Sequence, residues 1–245
     1  MKDRQIKISI VIPVYNETKR LENLYKINNF FKKKKYLSEI LVVNDGSNNI
    51  TTKLLNKLSK EIEFNLIYYK ENKGKGHAVK TGMLAANGNI HIFTDLDLSV
   101  AIENIDNFIT DIERFPVVIG SRRKRNSKII IHQSSIRELM GRVFTNLSKI
   151  VLGLSISDFT CGFKCFSKES SQKIFSNVSI NGWGFDSETL FLAKKYGFKI
   201  KEIPVKWKND SESKVKFPGA IFTSFYELIR IRSNQLRGFY EDPKD

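Results

Sequence analysis

The chain holds only two cysteines, Cys161 and Cys165, among 245 residues. So few thiols exclude a disulfide-stapled secreted scaffold, and with no signal peptide they fit a reducing cytosol. A Cys-x3-Cys pair without a second pair is a poor zinc site, and the three histidines stand far apart. No stretch approaches the ~20 apolar residues that cross a bilayer, so the expectation is a soluble or peripheral protein. Internal repeats, low-complexity tracts, helix-turn-helix spacing and basic runs alternating with aromatics are also missing. A net charge of +15 attracts nucleic acid, anionic membrane or phosphorylated small molecules. The missing motifs argue against nucleic acid.

What is present is an alternation of apolar runs and helical-period segments, and 41% hydrophobic content supports one large core. Strands are expected at 8–14, where Pro13 should stop the run, and at 39–43, 65–69, 89–94 and 116–120. Helices are expected at 18–34, 51–62, from His77 to near Gly88, and 102–114. This order predicts an α/β domain with a mostly parallel sheet, whose ligands sit beyond the carboxyl ends of the strands. Tyr15, Asp45 and Asp97 fall at those ends.

Asp95-Leu96-Asp97 closes the fourth expected strand. Carboxylates at i and i+2 of a strand point the same way, and two hard oxygen donors suit Mg²⁺ or Mn²⁺. A polar loop with a helix cap is the competing explanation. Lys73-Gly74-Lys75-Gly76 opens a helix, where free amides and two lysines could hold phosphate. It is neither a Rossmann nor a Walker loop, and a flexible basic turn is its alternative. Asp45-Gly46-Ser47 reads equally as a turn and helix cap.

Taken in order, the blocks 11–17 (VIPVYNE), 42–47 (VVNDGS), 73–76 (KGKG), 95–97 (DLD), 120–122 (GSR), 158–164 (DFTCGFK), 183–188 (WGFDSE) and 202–207 (EIPVKW) resemble family 2 glycosyltransferases of the GT-A fold. The late blocks are similar to the polyprenyl-phosphate branch. That resemblance implies that Pro13, Tyr15, Glu17 and Asp45 frame the nucleotide of a nucleoside-diphosphate sugar, with Lys75, Gly76 and Asp95 also on the donor. It implies Asp95 and Asp97 as ligands of Mg²⁺ or Mn²⁺, and Asp97, Arg122 and Asp186 as catalytic. Arg122, Arg137 and Lys214 would meet the acceptor phosphate. Ser99 stands where mannosyl members often carry glutamine, so UDP-glucose is favoured over GDP-mannose as donor.

The implied enzyme is an inverting hexosyltransferase acting on a polyprenyl phosphate, or alternatively on a sugar hydroxyl of a surface polysaccharide. Residues 1–210 would form the catalytic domain and 211–245 a basic amphipathic tail. In that tail Phe217, Ile221, Phe222, Phe225, Leu228 and Ile229 share helical spacing beside Arg230, Arg232 and Arg237. Such a helix packs on the domain or lies on the cytoplasmic face of an anionic membrane. The sequence leaves the oligomeric state open.

Overall fold

The computed structural model describes residues 6–34, 36–210 and 219–241. Its strands are β1 (Lys7–Val14), β2 (Leu37–Asp45), β3 (Asn65–Tyr69), β4 (Ile90–Thr94), β5 (Val117–Ser121), β6 (Lys128–Ile131), β7 (Phe163–Ser167), β8 (Ile200–Pro204) and β9 (Lys206–Lys208). The helices are α1 (Asn23–Lys32), α2 (Asn49–Leu58), α3 (Lys75–Ala85), α4 (Ile105–Asp111), α5 (Ser135–Leu152), α6 (Lys168–Asn177), α7 (Phe185–Lys195) and α8 (Gly219–Leu236).

Seven strands form one sheet in the order β3-β2-β1-β4-β7-β5-β8, and β6 pairs with β9. The large sheet is parallel except for β7, which runs antiparallel to both β4 and β5. Both faces are covered. Ile8, Ile10, Ile12 and Val14 pack with α1, α2 and α4, while Val11, Val43 and Phe93 pack with α3, α6 and α7. Two buried faces explain why these strands read as continuous apolar runs.

Pro13 does not stop β1, as the sequence suggested. Pairing with β4 covers only Ile8 to Val11, whereas pairing with β2 continues to Val14. Past Val11, β1 is a free edge towards β4, and an edge tolerates proline. The helix expected at 18–34 is also divided: a 3₁₀ turn, Lys19–Glu22, precedes α1. Helix α2 starts earlier than expected, because the Asn48 side chain accepts the Thr51 amide at 3.0 Å and caps it.

At the carboxyl end, Leu228 and Ile231 of α8 join the second core cluster. Phe225 meets Phe144 of α5 at 5.8 Å between ring centroids. Lys214, Phe217 and the boundary expected after residue 210 lie outside the described residues. Among those described, no helix is long and apolar enough to cross a membrane.

Candidate active site

The order of strands reverses at β1, whose neighbours β2 and β4 lead away in opposite directions. A crevice at that point, beyond the carboxyl ends, is where open α/β sheets bind ligands. Because β7 is reversed, its first residues face the same edge. A cavity of about 530 Å³ opens there, and Asp95, Asp97, Lys75, Arg122, Arg137 and Asp186 all line it. Six residues proposed from the sequence, spread over more than a hundred positions, therefore meet around one space.

Asp95 and Asp97 follow β4 directly. Asp95 accepts Lys75 Nζ at 2.6 Å, and its amide donates to the Gly162 carbonyl at 3.2 Å. Asp97 accepts the Ser99 amide at 2.8 Å. Burial and the neighbouring Asp95 push the Asp97 pKa up. Lys75 behaves the opposite way: burial alone would depress its pKa, but Asp95, Asp186 and Asp97 raise it above the ordinary lysine value. Its ammonium also lies 5.2 Å from the Trp183 ring centroid.

Opposite these carboxylates, two ion pairs are built into the wall. Asp158, fully buried, accepts the Arg122 amide at 2.9 Å and a fork from Nε and Nη2 at 2.7 Å each. Burial works to raise the Asp158 pKa, yet the Arg122 charge and these bonds hold it at about 2. Thr160 takes a further bond from Arg122 at 2.9 Å, and Trp207 lies under the guanidinium at 5.5 Å. In the second pair, the fully buried Lys164 donates to Asp186, in the first turn of α7, and to the Cys161 carbonyl at 2.8 Å. Burial raises the Asp186 pKa despite the attraction of Lys164 and Lys75.

The start of α3 differs from the sequence expectation. Four of the amides around it are already engaged: Gly76 and His77 donate to the Asn181 carbonyl at 2.8 and 3.4 Å. The Lys73 and Gly74 amides donate to Asp45 at 2.9 and 3.0 Å. Gly76 serves close packing, since a β-carbon there would lie 2.5 Å from the Ile180 carbonyl. Its neighbour Lys75 is the residue of this turn that reaches the cavity.

Pro13, Tyr15, Glu17 and Asp45 are not among the cavity-lining residues. They form an adjoining shelf on the same sheet edge, at the ends of β1 and β2. Tyr15 is 46% exposed there. Asp45 is buried and, besides the two amides, accepts Asn72 Nδ2 at 2.8 Å. Residues 72–75 thus run directly from Asp45 to the Asp95 pair. Glu17 pairs with Arg20 at 3.1 Å, and Arg20 with Asp210 at 2.8 Å. Arg20 feels the charge of Asp97, and its Nη2 is buried without a hydrogen-bond partner.

Among the described residues no group of three or more His, Cys, Asp or Glu converges on one point. Two carboxylates that line the cavity within three residues of each other nevertheless fit Mg²⁺ or Mn²⁺, hard cations that take oxygen donors and keep several sites for water and phosphate oxygens. Burial first, and the Asp95 charge second, raise the Asp97 pKa, and a cation bound between the two carboxylates would offset both effects. Sequence reasoning gave no role to Arg20, Asp158 or Lys164. For Lys164 a signal existed, because it is a lone cation between Phe163 and Phe166 in an apolar strand. The two thiols are core residues: burial pushes Cys161 up to about 12, and Cys165 is raised as well.

The Glycosyl transferase family 2 model matches residues 9–175, and the chain belongs to that family. More particularly, it is 36% identical over 263 residues to a dolichyl-phosphate beta-glucosyltransferase of Saccharomyces cerevisiae, covering 99% of this chain and 79% of the relative. It is 29% identical over 248 residues to the human protein of that name, covering 95% and 76%. The crystal structure of glucosyl-3-phosphoglycerate synthase from Mycobacterium tuberculosis with Mn²⁺, UDP-glucose and phosphoglyceric acid shares the fold. Its TM-score is 0.68 at 15% identity, over 93% of this chain and 80% of that one. The protein is a glycosyltransferase with the GT-A architecture expected from its motifs.

Proposed function

We propose that this enzyme transfers glucose from UDP-glucose to a polyprenyl phosphate, dolichyl phosphate by the names of its relatives, with inversion at the anomeric carbon. One observation carries the choice of acceptor: Asp186, the candidate general base, is buried and already engaged by Lys164. A sugar hydroxyl needs a base to become nucleophilic. A phosphate monoester, with a second pKa of about 6, does not. It needs cations to bring it beside the anionic donor, and Arg122, Arg123, Arg137 and Arg142 line the cavity.

On this reading the shelf of Pro13, Tyr15, Glu17 and Asp45 frames the nucleotide, and Lys75 faces the diphosphate. Asp95 and Asp97 would hold Mg²⁺ or Mn²⁺, which would supply charge neutralisation for a nucleoside diphosphate leaving group. Lys75 adds a fixed positive charge at the same end, where it acts more strongly than in water. Arg122, held by the Asp158 fork, and Arg137 orient the acceptor phosphate, and much of the rate comes from that alignment. Lys214 is assigned to the same phosphate by resemblance. The Lys164–Asp186 pair fixes the floor beneath the reacting sugar. The catalytic body comprises residues 1–210 together with α8, which packs on them, and it sits peripherally at the cytoplasmic membrane face; the buried free thiols fit that reducing side.

The test is an assay with UDP-glucose, UDP-GlcNAc or GDP-mannose, with and without polyprenyl phosphate, and with metal or chelator. UDP release from UDP-glucose that requires both lipid phosphate and divalent metal is the expected result. Release that requires an oligosaccharide instead would move the activity to a sugar hydroxyl.

A further inference from the structure

Helix α5 is apolar on its outward side as well as on its inward one, where Phe144 and Leu152 are buried in the core. Its inward side includes Thr145 and Ser148, both buried. Their hydroxyls are occupied, Ser148 donating to the Phe144 carbonyl at 2.8 Å and Thr145 accepting from Arg123. The outward side presents Ile136, Leu139, Val143, Leu147 and Ile150, exposed by 65, 59, 38, 37 and 78%. Steps of three and four residues place these five on one face of an α-helix. Packing within the described chain does not account for them, and a contiguous apolar stripe marks an interaction surface.

We propose that the outward face of α5 docks on an anionic lipid bilayer. Charge selects this occupant over a second copy of the chain. Arg142 and Lys149 flank the stripe, and the protein carries a net charge of +15, so two such faces would repel while anionic headgroups attract them. Position supports the same choice. Other residues of α5, among them Arg137 and Arg142, line the cavity. A bilayer seated on the stripe therefore lies against the helix that walls the active site. Helix α8, packed beside α5, also exposes Tyr226 and Ile229 by 67 and 64%. The physiological sense of this docking rests on the lipid-phosphate reading above, but its measurement needs no substrate.

The experiment is flotation of the full chain with phosphatidylcholine vesicles, with and without phosphatidylglycerol. The wild type should float with the anionic vesicles and release as salt is raised. Replacing Ile136, Leu139 and Ile150 together by serine should lower the vesicle partition coefficient about tenfold or more, three partly buried aliphatic side chains being lost. Turnover of a short, water-soluble polyprenyl phosphate should not change in that variant, because none of the three lines the cavity. A single Leu139→Trp variant gives an independent reading, expected as a blue shift of its emission on vesicles. Equal flotation of wild type and triple variant, no blue shift, or a wild-type dimer in solution that the triple variant dissolves would each overturn the proposal. Intact flotation with no turnover of any polyprenyl phosphate would uphold docking and remove the acceptor assignment alone.

Discussion

Gly162 leaves the room that the Asp95 carboxylate occupies: a β-carbon at that position would fall well inside contact distance of Asp95 Oδ2. Gly162→Ala should therefore displace a proposed metal ligand, since the three atoms nearest the new methyl all belong to the Asp95 carboxylate. A shift of about 1 Å at a reacting centre can cost ~10²-fold in rate. We expect kcat/KM to fall on that order, with weaker activation by Mn²⁺ and a melting temperature within a few degrees of wild type. Titration of turnover against Mn²⁺ checks it.

The Lys164–Asp186 pair should behave as a unit. Removing one partner from a buried pair strands the other charge, at ~3–5 kcal/mol, whereas replacing both by apolar groups is often neutral. Lys164→Met and Asp186→Leu should each destabilise strongly, and the double variant should recover most of the loss in urea unfolding. Activity should not return with stability. Recovery of both would remove Asp186 from the active site.

Acid should report on the Arg122–Asp158 fork. The folded pKa of Asp158, about 2, is depressed below its unfolded value, so its contribution is present above pH ~4. It is lost as the pH falls from there towards about 2, an effect of roughly 2–3 kcal/mol for this buried group. Asp158→Asn should be less stable than wild type at neutral pH, and the gap should narrow on acidification. Unfolding followed by circular dichroism across that range gives the comparison.

Glu227 of α8 accepts the Gly184 amide at 2.7 Å, next to Trp183, and is buried enough that its pKa is raised. Glu227→Gln keeps an acceptor for that amide and should retain activity. Glu227→Ala should loosen the Trp183 turn and raise the KM for the acceptor more than it lowers kcat. With only two tryptophans in the chain, a red shift of emission in the alanine variant alone would accompany the change.

Much of this was written in the sequence because buried parallel strands leave strong local traces. The apolar runs ending at Tyr15, Asp45 and Asp95 mark the carboxyl edge of the sheet, where the cavity opens beside Asp95. Asp97, Arg122 and Asp186 were found through motifs, and all three reach the cavity. What stayed hidden depended on partners distant in the chain. Pro13 inside β1 makes sense only once β4 is seen to separate after Val11. The amides at the start of α3 looked free because their acceptor, Asn181, lies a hundred residues away. Helix α5 lies beyond the last strand expected from the sequence, and its stripe could not have been placed from spacing alone, which cannot tell which side of a helix faces inwards.

The bond from the Gly76 amide to the Asn181 carbonyl ties the first turn of α3 to the loop that leads into α7. The family match ends at residue 175, short of Asn181, Asp186 and Glu227. A fragment trimmed to that match would uncap α3 and release Lys75, the cation that meets Asp95. Any exchange of the 72–77 turn thus has to carry the 180–184 turn with it, because either one alone arrives with the wrong counterpart.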